Sequence, residues 1–389
     1  MKEQKIIFDG LALVEGHFSG IGQYTLGILR GIDENLDDLK YKGKKYPKVV
    51  VAIPWNTVER FKSFQFKHIA YKRVPLTFRV MSKLWYSGLM FPLDLWCGRG
   101  FYIFPRFVKM PLLFSKYALV ICDLSYELYP QYSDKGSAEF LSAGAKKSIK
   151  KASEVITISE NSKKEIVDFY KVNPEDVVIA YPAVDQKVFY RRSEQEISRV
   201  KQKYGIKSDY VLALSNLEPR KNLQSLVDAY CAMPNTFTDK TALLLVGVSG
   251  WKTEGLFSHI TDKVSQGYNI IRPASYVADD DRPAILSGAK VLVYPSHYEG
   301  FGMPPLEALA CGTPVIVADN SSLQEAVGNA GKKISGTPES IISALNEYLR
   351  DGESIEKKIL TAGPKHAEKF SWLKTGKVVL NVASEAKKK

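Results

Sequence analysis

Short runs rich in Val, Ile and Leu recur along this chain, and a helically patterned stretch follows most of them. The runs fall at 5–8, 49–53, 117–121, 154–158, 177–181, 210–214, 242–246, 269–272, 290–294 and 314–317. A run such as Leu243-Leu244-Leu245-Val246, apolar at every position, belongs to a strand buried on both faces, as in a parallel sheet. Strands alternating with helices imply parallel sheets covered by helices, an α/β fold. The chain has 389 residues; at roughly 100–200 residues per domain this predicts two domains. The break is expected near Asp185–Ser208, where 186–192 reads as a linker and 193–204 as a charged surface helix. A new βαβ series starts at Tyr210. Two Rossmann-like, doubly wound domains are therefore predicted, 1–190 and 191–371, facing across a cleft at the carboxyl ends of their strands.

Composition removes several alternatives. With 45 % hydrophobic and 25 % charged residues, the chain is neither disordered nor collagen-like nor a disulfide scaffold. Cys97, Cys122, Cys231 and Cys311 form no CxxC and no zinc-ligand spacing, and four thiols in a chain this long suit a reducing cytoplasm. The run Ile6-Ile7-Phe8 ends at Asp9, too short for a signal-peptide core, and no stretch has the apolar length of a spanning helix. The net charge of +12 favours anionic partners. Part of it is concentrated: between Asn56 and Tyr117 lie eleven Lys or Arg residues against Glu59 and Asp94.

Three loops after predicted strands carry candidate chemistry. The first ends Ser19-Gly20-Ile21-Gly22-Gln23-Tyr24 and opens a helix to about Arg30. Gly20 and Gly22 would let backbone N–H groups approach an anion there, or simply make a tight turn. The second reads Ser215-Asn216-Leu217-Glu218-Pro219-Arg220-Lys221-Asn222, before a helix over 223–230. A helix dipole disfavours two cations at its N-terminus, so Arg220 and Lys221 make sense there if an anion such as a diphosphate joins them; otherwise they are solvated surface charges. The third reads Pro295-Ser296-His297-Tyr298-Glu299-Gly300-Phe301-Gly302-Met303-Pro304-Pro305-Leu306-Glu307. The prolines suit a helix start. Glu299 and Glu307 can then line one pocket at different depths, where carboxylates accept hydrogen bonds from sugar hydroxyls, with Gly300 and Gly302 freeing the backbone to present N–H donors; otherwise they are a surface loop glutamate and a helix-start carboxylate.

In these loops the chain resembles glycosyltransferase family 4, the retaining, nucleotide-sugar-dependent enzymes of the GT-B fold, and bacterial mannosyltransferases in particular. Glu299 and Glu307 match the family's E-x7-E motif and Arg220-Lys221-Asn222 its phosphate-binding RKN; Tyr276–Asp281 and Ser287-Gly288-Ala289 also fit. The resemblance implies that 1–190 is the acceptor-side domain, that 191–371 binds the donor, and that a terminal helix over 372–389 crosses back. It implies Arg220 and Lys221 on the diphosphate and Glu307 on the ribose. Glu299, with the amides of Phe301 and Gly302 and neighbouring Gly300 and Met303, would hold the transferred sugar. Tyr276 and Val277 would meet the base, and the Gly20–Gly22 loop would close on the phosphates. No metal or other cofactor is expected, since the two cations do a divalent ion's work. Many relatives carry His-Asp where this chain has Cys122-Asp123; Asp123 remains a candidate sugar contact or a helix cap, and His17 a guess for the same region or a surface histidine.

The expected activity is therefore hexose transfer, with retention, from GDP-mannose to a glycan or lipid-linked acceptor. A UDP-sugar donor and a non-catalytic sugar-nucleotide-binding subunit are the alternatives. Nucleic acid is not an expected partner, because no recognition module is present. The rings of 55–117, including Trp85, Tyr86, Trp96, Phe101, Tyr102, Phe104 and Phe107, together with its cations, suit either a core with a solvated face or contact with an anionic membrane. The latter would put a cytoplasmic protein on the membrane's inner face.

Overall fold

The computed structural model describes residues 5–14, 19–41, 47–89, 91–250 and 252–385. His17 lies outside them. Contacts divide the chain into two compact units, Met1–Ala183 with Ser371–Lys389, and Val184–Phe370.

The first unit is built on β1 (Lys5–Asp9), β2 (Lys48–Pro54), β3 (Ile69–Val74), β4 (Phe101–Phe104), β5 (Tyr117–Val120), β6 (Glu154–Thr157) and β7 (Val177–Ile179). They form one sheet in the order β3-β2-β1-β4-β5-β6-β7, parallel throughout. The central strands are buried on both faces, which is why they read as unbroken apolar runs. Two strands were not foreseen. The run of β3, Ile-Ala-Tyr-Lys-Arg-Val, carries two cations because it is an edge strand with a solvated side. The four residues of β4 sit among other aromatic residues and lack their own punctuation.

The Gly20–Tyr41 helix runs well past Arg30, because Ile28, Leu29, Ile32 and Leu36 continue its buried stripe. The Trp372–Glu385 helix returns to this unit and packs on it. Gly27 and Gly31 permit the close approach: a Cβ at either would collide with Trp372. Thr375 Oγ1 donates to the carbonyl of Tyr181 at 2.5 Å. Residues 386–389 of the expected helix lie outside the described residues.

The second unit holds β8 (Asp209–Leu214), β9 (Thr241–Val246), β10 (Ile270–Ile271), β11 (Val291–Tyr294), β12 (Val315–Ala318) and β13 (Lys332–Ile334). The order is β10-β9-β8-β11-β12-β13, again parallel. The third unforeseen strand, β13, begins with two exposed lysines and is an edge. The Glu194–Lys203 helix starts at a reciprocal capping box between Ser193 and Glu196.

Contacts place the division after Ala183 rather than after residue 190. Residues 186–192 do not hang free as a linker. The Arg192 amide donates to Ser287 Oγ at 3.0 Å, and the Arg191 guanidinium donates to the Ser287 carbonyl, so their end is pinned to the second unit.

The rings of the basic segment also divide. Trp85, Phe101, Tyr102, Phe104 and Phe107 are core residues, whereas Tyr86 and Trp96 are exposed.

Candidate functional site

In the second unit the chain order reverses between neighbouring strands β8 and β11. Loops leaving the carboxyl ends of such a pair diverge and leave a crevice, where open α/β sheets bind ligands. The loop after β8 carries Arg220 and Lys221, and the loop after β11 carries Glu299. Topology alone thus brings together residues 78 positions apart.

Their side chains form one network. Lys221 Nζ lies 2.5 Å from Glu299 Oε1 and 3.0 Å from the Tyr294 hydroxyl. Arg220 reaches Glu299 Oε2 at 3.2 Å, Glu218 Oε1 at 2.7 Å and the Tyr298 carbonyl at 2.6 Å. Lys221, Glu218 and Glu299 are buried, and Arg220 is half-buried. The backbone fits this purpose. Pro219–Lys221 is a single 3-10 turn, and Asn222, at φ 54°, breaks it from the Leu223–Cys231 helix. Asn222 Nδ2 then donates to the carbonyls of Pro295 and Gly336, at 3.1 and 2.8 Å, tying the two loops together. The Glu299 amide donates to Ser321 Oγ at 3.0 Å, and Ser322 Oγ donates to the Glu299 carbonyl at 2.7 Å.

Burial pushes the Glu299 carboxyl up, but Lys221 and then Arg220 outweigh it and hold the group at about 2. Burial lowers the Lys221 ammonium, with Glu299 opposing. Lys221 and Arg220 are both held against Glu299, and Arg220 against Glu218 as well.

Glu307 sits within the Met303–Ala310 helix and is buried. Its Oε2 lies 2.5 Å from the Arg282 guanidinium, which also reaches Asp279 at 3.5 Å. Burial pushes Glu307 up, and Arg282 only partly offsets this. Asp279 in turn accepts from the Tyr276 hydroxyl at 3.3 Å. Tyr276 is 67 % exposed, whereas the Val277 side chain is buried, so only the tyrosine ring offers a face to a ligand. Glu299 and Glu307 therefore head two separate clusters, one around Lys221 and one around Arg282.

Between them lies the glycine turn. Gly302 stands at φ 109°, and a Cβ there would meet the Leu323 side chain at 2.7 Å, so the position requires glycine. Gly300 is buried and Met303 half-buried. The Phe301 ring is turned into the core, 5.2 Å from the Phe370 ring, which leaves only its backbone for a ligand.

In the first unit the order reverses between β1 and β4. Gly20 and Gly22 open the helix after β1, and Ser19 Oγ accepts from the Gly22 amide at 3.2 Å. Among the described residues, no atom beyond its chain neighbours and its own helix backbone comes within 4 Å of a Cβ built on Gly20. Asp123, after β5, accepts from the Ser125 amide at 2.8 Å and closes its own turn. Cys122 is buried, and burial pushes its thiol up, so it stays neutral.

The sequence did not point to Glu218, Arg282 or Tyr294. Glu218 and Tyr294 lie beside recognised motifs, but Arg282 follows Asp279-Asp280-Asp281 with no spacing to link it to a glutamate 25 positions later. Among the described residues no group of three or more His, Cys, Asp or Glu gathers as a metal-binding set, and no helix is long and apolar enough to cross a membrane.

Comparison with known proteins shows the family and the fold. Residues 194–365 match the family described as glycosyl transferases group 1. The O-antigen chain mannosyltransferase B of Escherichia coli is 30 % identical over 379 residues, covering 95 % of this chain and 96 % of that one. The serotype-specific mannosyltransferase WbdA of Escherichia coli is 25 % identical over 235 residues, covering 59 % of this chain and 28 % of that one. Among solved structures, Anabaena Alr3699/HepE in complex with UDP and glucose superposes with a TM-score of 0.71 at 16 % identity, over 98 % of this chain and 99 % of that one. The two Rossmann-like units are those of the GT-B fold.

Proposed function

This chain belongs to the group 1 glycosyl transferases, and we propose that it moves mannose from GDP-mannose to a glycan or lipid-linked acceptor with retention of configuration. The glycosyltransferase activity follows from the family. Mannose is supported by the relative that matches over nearly the whole chain. The observation that carries the site assignment is the buried cluster of Glu218, Arg220, Lys221 and Glu299 at the switch point of the second sheet.

A departing nucleoside diphosphate gains negative charge in the transition state, and fixed cations stabilise that charge more than they stabilise the ground state. Arg220 and Lys221 are assigned to the diphosphate. In its absence Glu299 is their counter-ion, and with donor bound Glu299 exchanges them for hydroxyls of the transferred sugar. Gly300, Phe301, Gly302 and Met303 support that sugar from the backbone. Glu307, positioned by Arg282, takes the ribose hydroxyls, and Tyr276, with the Val277 backbone, takes the base. Gly20 and Gly22 are assigned to an anionic group at their helix start, and the second oxygen of Asp123 to a sugar. No metal is required in this scheme, because the two cations supply the positive charge. The reaction is assigned to the cytoplasmic side of the membrane, with the protein peripheral there.

Thermal melting of the full chain with a panel of nucleoside diphosphates and their sugars tests the proposal. Ligand at roughly 100 times its Kd stabilises by about 2.7 kcal/mol. GDP and GDP-mannose are expected to give the largest shift. A larger shift with UDP would reassign the base, and no shift with any nucleotide would overturn the site.

A further inference from the structure

The amino edge of the first sheet carries an exposed apolar face that the transfer reaction does not use. It comprises Leu89, Phe91, Leu95, Trp96, Leu113 and Phe114, from 40 % exposed at Trp96 to 72 % at Leu89. Single exposed apolar residues are ordinary, whereas a group of six is not. The face is built, not frayed. Leu95 and Trp96 lie on the short Leu93–Cys97 helix before β4, and Leu113 and Phe114 lie just before β5. Asp94 joins the two segments by accepting the amides of Leu113, Phe114 and Ser115 at 2.8–3.2 Å. The Leu93 amide donates to the Pro111 carbonyl at 2.8 Å.

Its charge is one-sided. From Phe78 to Lys116 the cations are Arg79, Lys83, Arg99, Arg106, Lys109 and Lys116, and Asp94 is the sole acid. Asp94 is buried and occupied by the three amides, so no acidic group of this segment faces solvent. Arg79, Lys83, Arg99 and Lys116 are exposed, and the Arg99 guanidinium lies 4.7 Å from the centre of the Phe114 ring. Arg99 and Lys116 stand beside the tips at the amino ends of β4 and β5, whereas Arg79 starts the Phe78–Tyr86 helix next to Asn56, beyond the carboxyl end of β2. Apolar and aromatic tips with cations beside them match a surface that is apolar within and anionic at its boundary.

We propose that this face docks on an anionic lipid bilayer, seating its apolar tips at the headgroup level while Arg99 and Lys116 meet lipid phosphates. Gly20 and Asp123 follow the carboxyl ends of β1 and β5, at the opposite edge of the same sheet. Docking by the amino edge therefore leaves them open. The inference rests on the proposed reaction only for its purpose, bringing the enzyme to a lipid-linked acceptor; the face itself is independent of the donor.

The test is sedimentation of the full chain with vesicles of phosphatidylcholine plus phosphatidylglycerol, against phosphatidylcholine alone. Binding is expected to the mixed vesicles at low salt, with release at high salt, and not to the neutral ones. The pairs Leu95→Ser with Phe114→Ser, and Arg99→Glu with Lys116→Glu, should each weaken binding about ten-fold or more while leaving the melting temperature and turnover on a soluble acceptor unchanged. If a variant melts early, the salt and lipid series on the natural chain decides. No binding at low salt, or equal binding to neutral vesicles, would overturn the proposal. So would a concentration-dependent dimer abolished by Leu95→Ser with Phe114→Ser, which would give the face to a second copy. The melting shifts with the nucleotide panel are read on the same samples: a shift that persists without vesicle binding breaks the membrane face alone, and no shift with any nucleotide breaks the donor site alone.

Discussion

The carboxyl edges of the two sheets have the same topology but handle charge in opposite ways. In the second unit, acids and bases from separate segments are held against each other, Lys221 and Arg220 on Glu299, and Arg282 on Glu307. In the first unit, the acids at that edge serve their own turns: Asp9 accepts from the Leu11 amide at 3.0 Å and Asp123 from the Ser125 amide at 2.8 Å. One edge holds prearranged cations whose internal counter-ion a ligand can replace. The other holds well-closed backbone. Electrostatic stabilisation of a leaving group is thus assigned to the second unit, and substitutions there should dominate.

Lys221→Ala is the strongest test. It should lower kcat/KM about a hundred-fold, and the Glu299 carboxylate left behind should cost about 3 kcal/mol of stability by chemical denaturation. Adding Glu299→Gln should recover stability without recovering turnover, which separates the two roles. Unchanged kinetics in folded Lys221→Ala would erase the contrast between the edges. Next comes Arg282→Leu. It removes the partner that orients Glu307, so the donor KM should rise about ten-fold while kcat stays near the natural value, with Arg282→Lys recovering part of the loss. A fall in kcat alone would place Arg282 elsewhere in the mechanism.

Acidity distinguishes the two glutamates themselves. Glu299 is held at about 2, below its ordinary 4.5, so its contribution to stability is complete above pH 4.5 and is lost as pH falls towards 2. Glu307 is raised, so its contribution is complete below its ordinary value and is lost as pH rises through the raised one. Denaturation curves across acid pH should therefore flatten in Glu299→Gln, and a curve identical to that of the natural chain would deny the ion pair. The smallest effect belongs to the first unit. Asp123→Asn keeps an oxygen for the Ser125 amide, so melting should hold while turnover falls about three-fold; no fall would leave Asp123 with its turn alone.

Much of this was legible beforehand, for identifiable reasons. The buried parallel strands announce themselves because both faces must be apolar, whereas β3 and β13 hide behind the cations that edge strands carry. The Arg220-Lys221 and Glu299–Glu307 loops were visible because each follows a strand and combines charge with proline or glycine. The pairing of Lys221 with Glu299 was not, since it depends on β8 lying beside β11, a fact of strand order. Arg282 was hidden for the same reason: its partner is set by helix packing, which no local spacing encodes. The rings of 55–117 could not be sorted into core and surface beforehand, because neighbours such as Trp85 and Tyr86 have opposite burial. Half of the apolar tips, Leu89, Leu95 and Leu113, are aliphatic and draw no notice in a sequence.

The most direct measurement is calorimetric titration of GDP into the natural full chain and into Arg220→Ala with Lys221→Ala, the folded state of each checked by circular dichroism. If the second unit grips the diphosphate through these two cations, affinity should fall about a hundred-fold or more in the variant. Equal affinity in two folded proteins would contradict it.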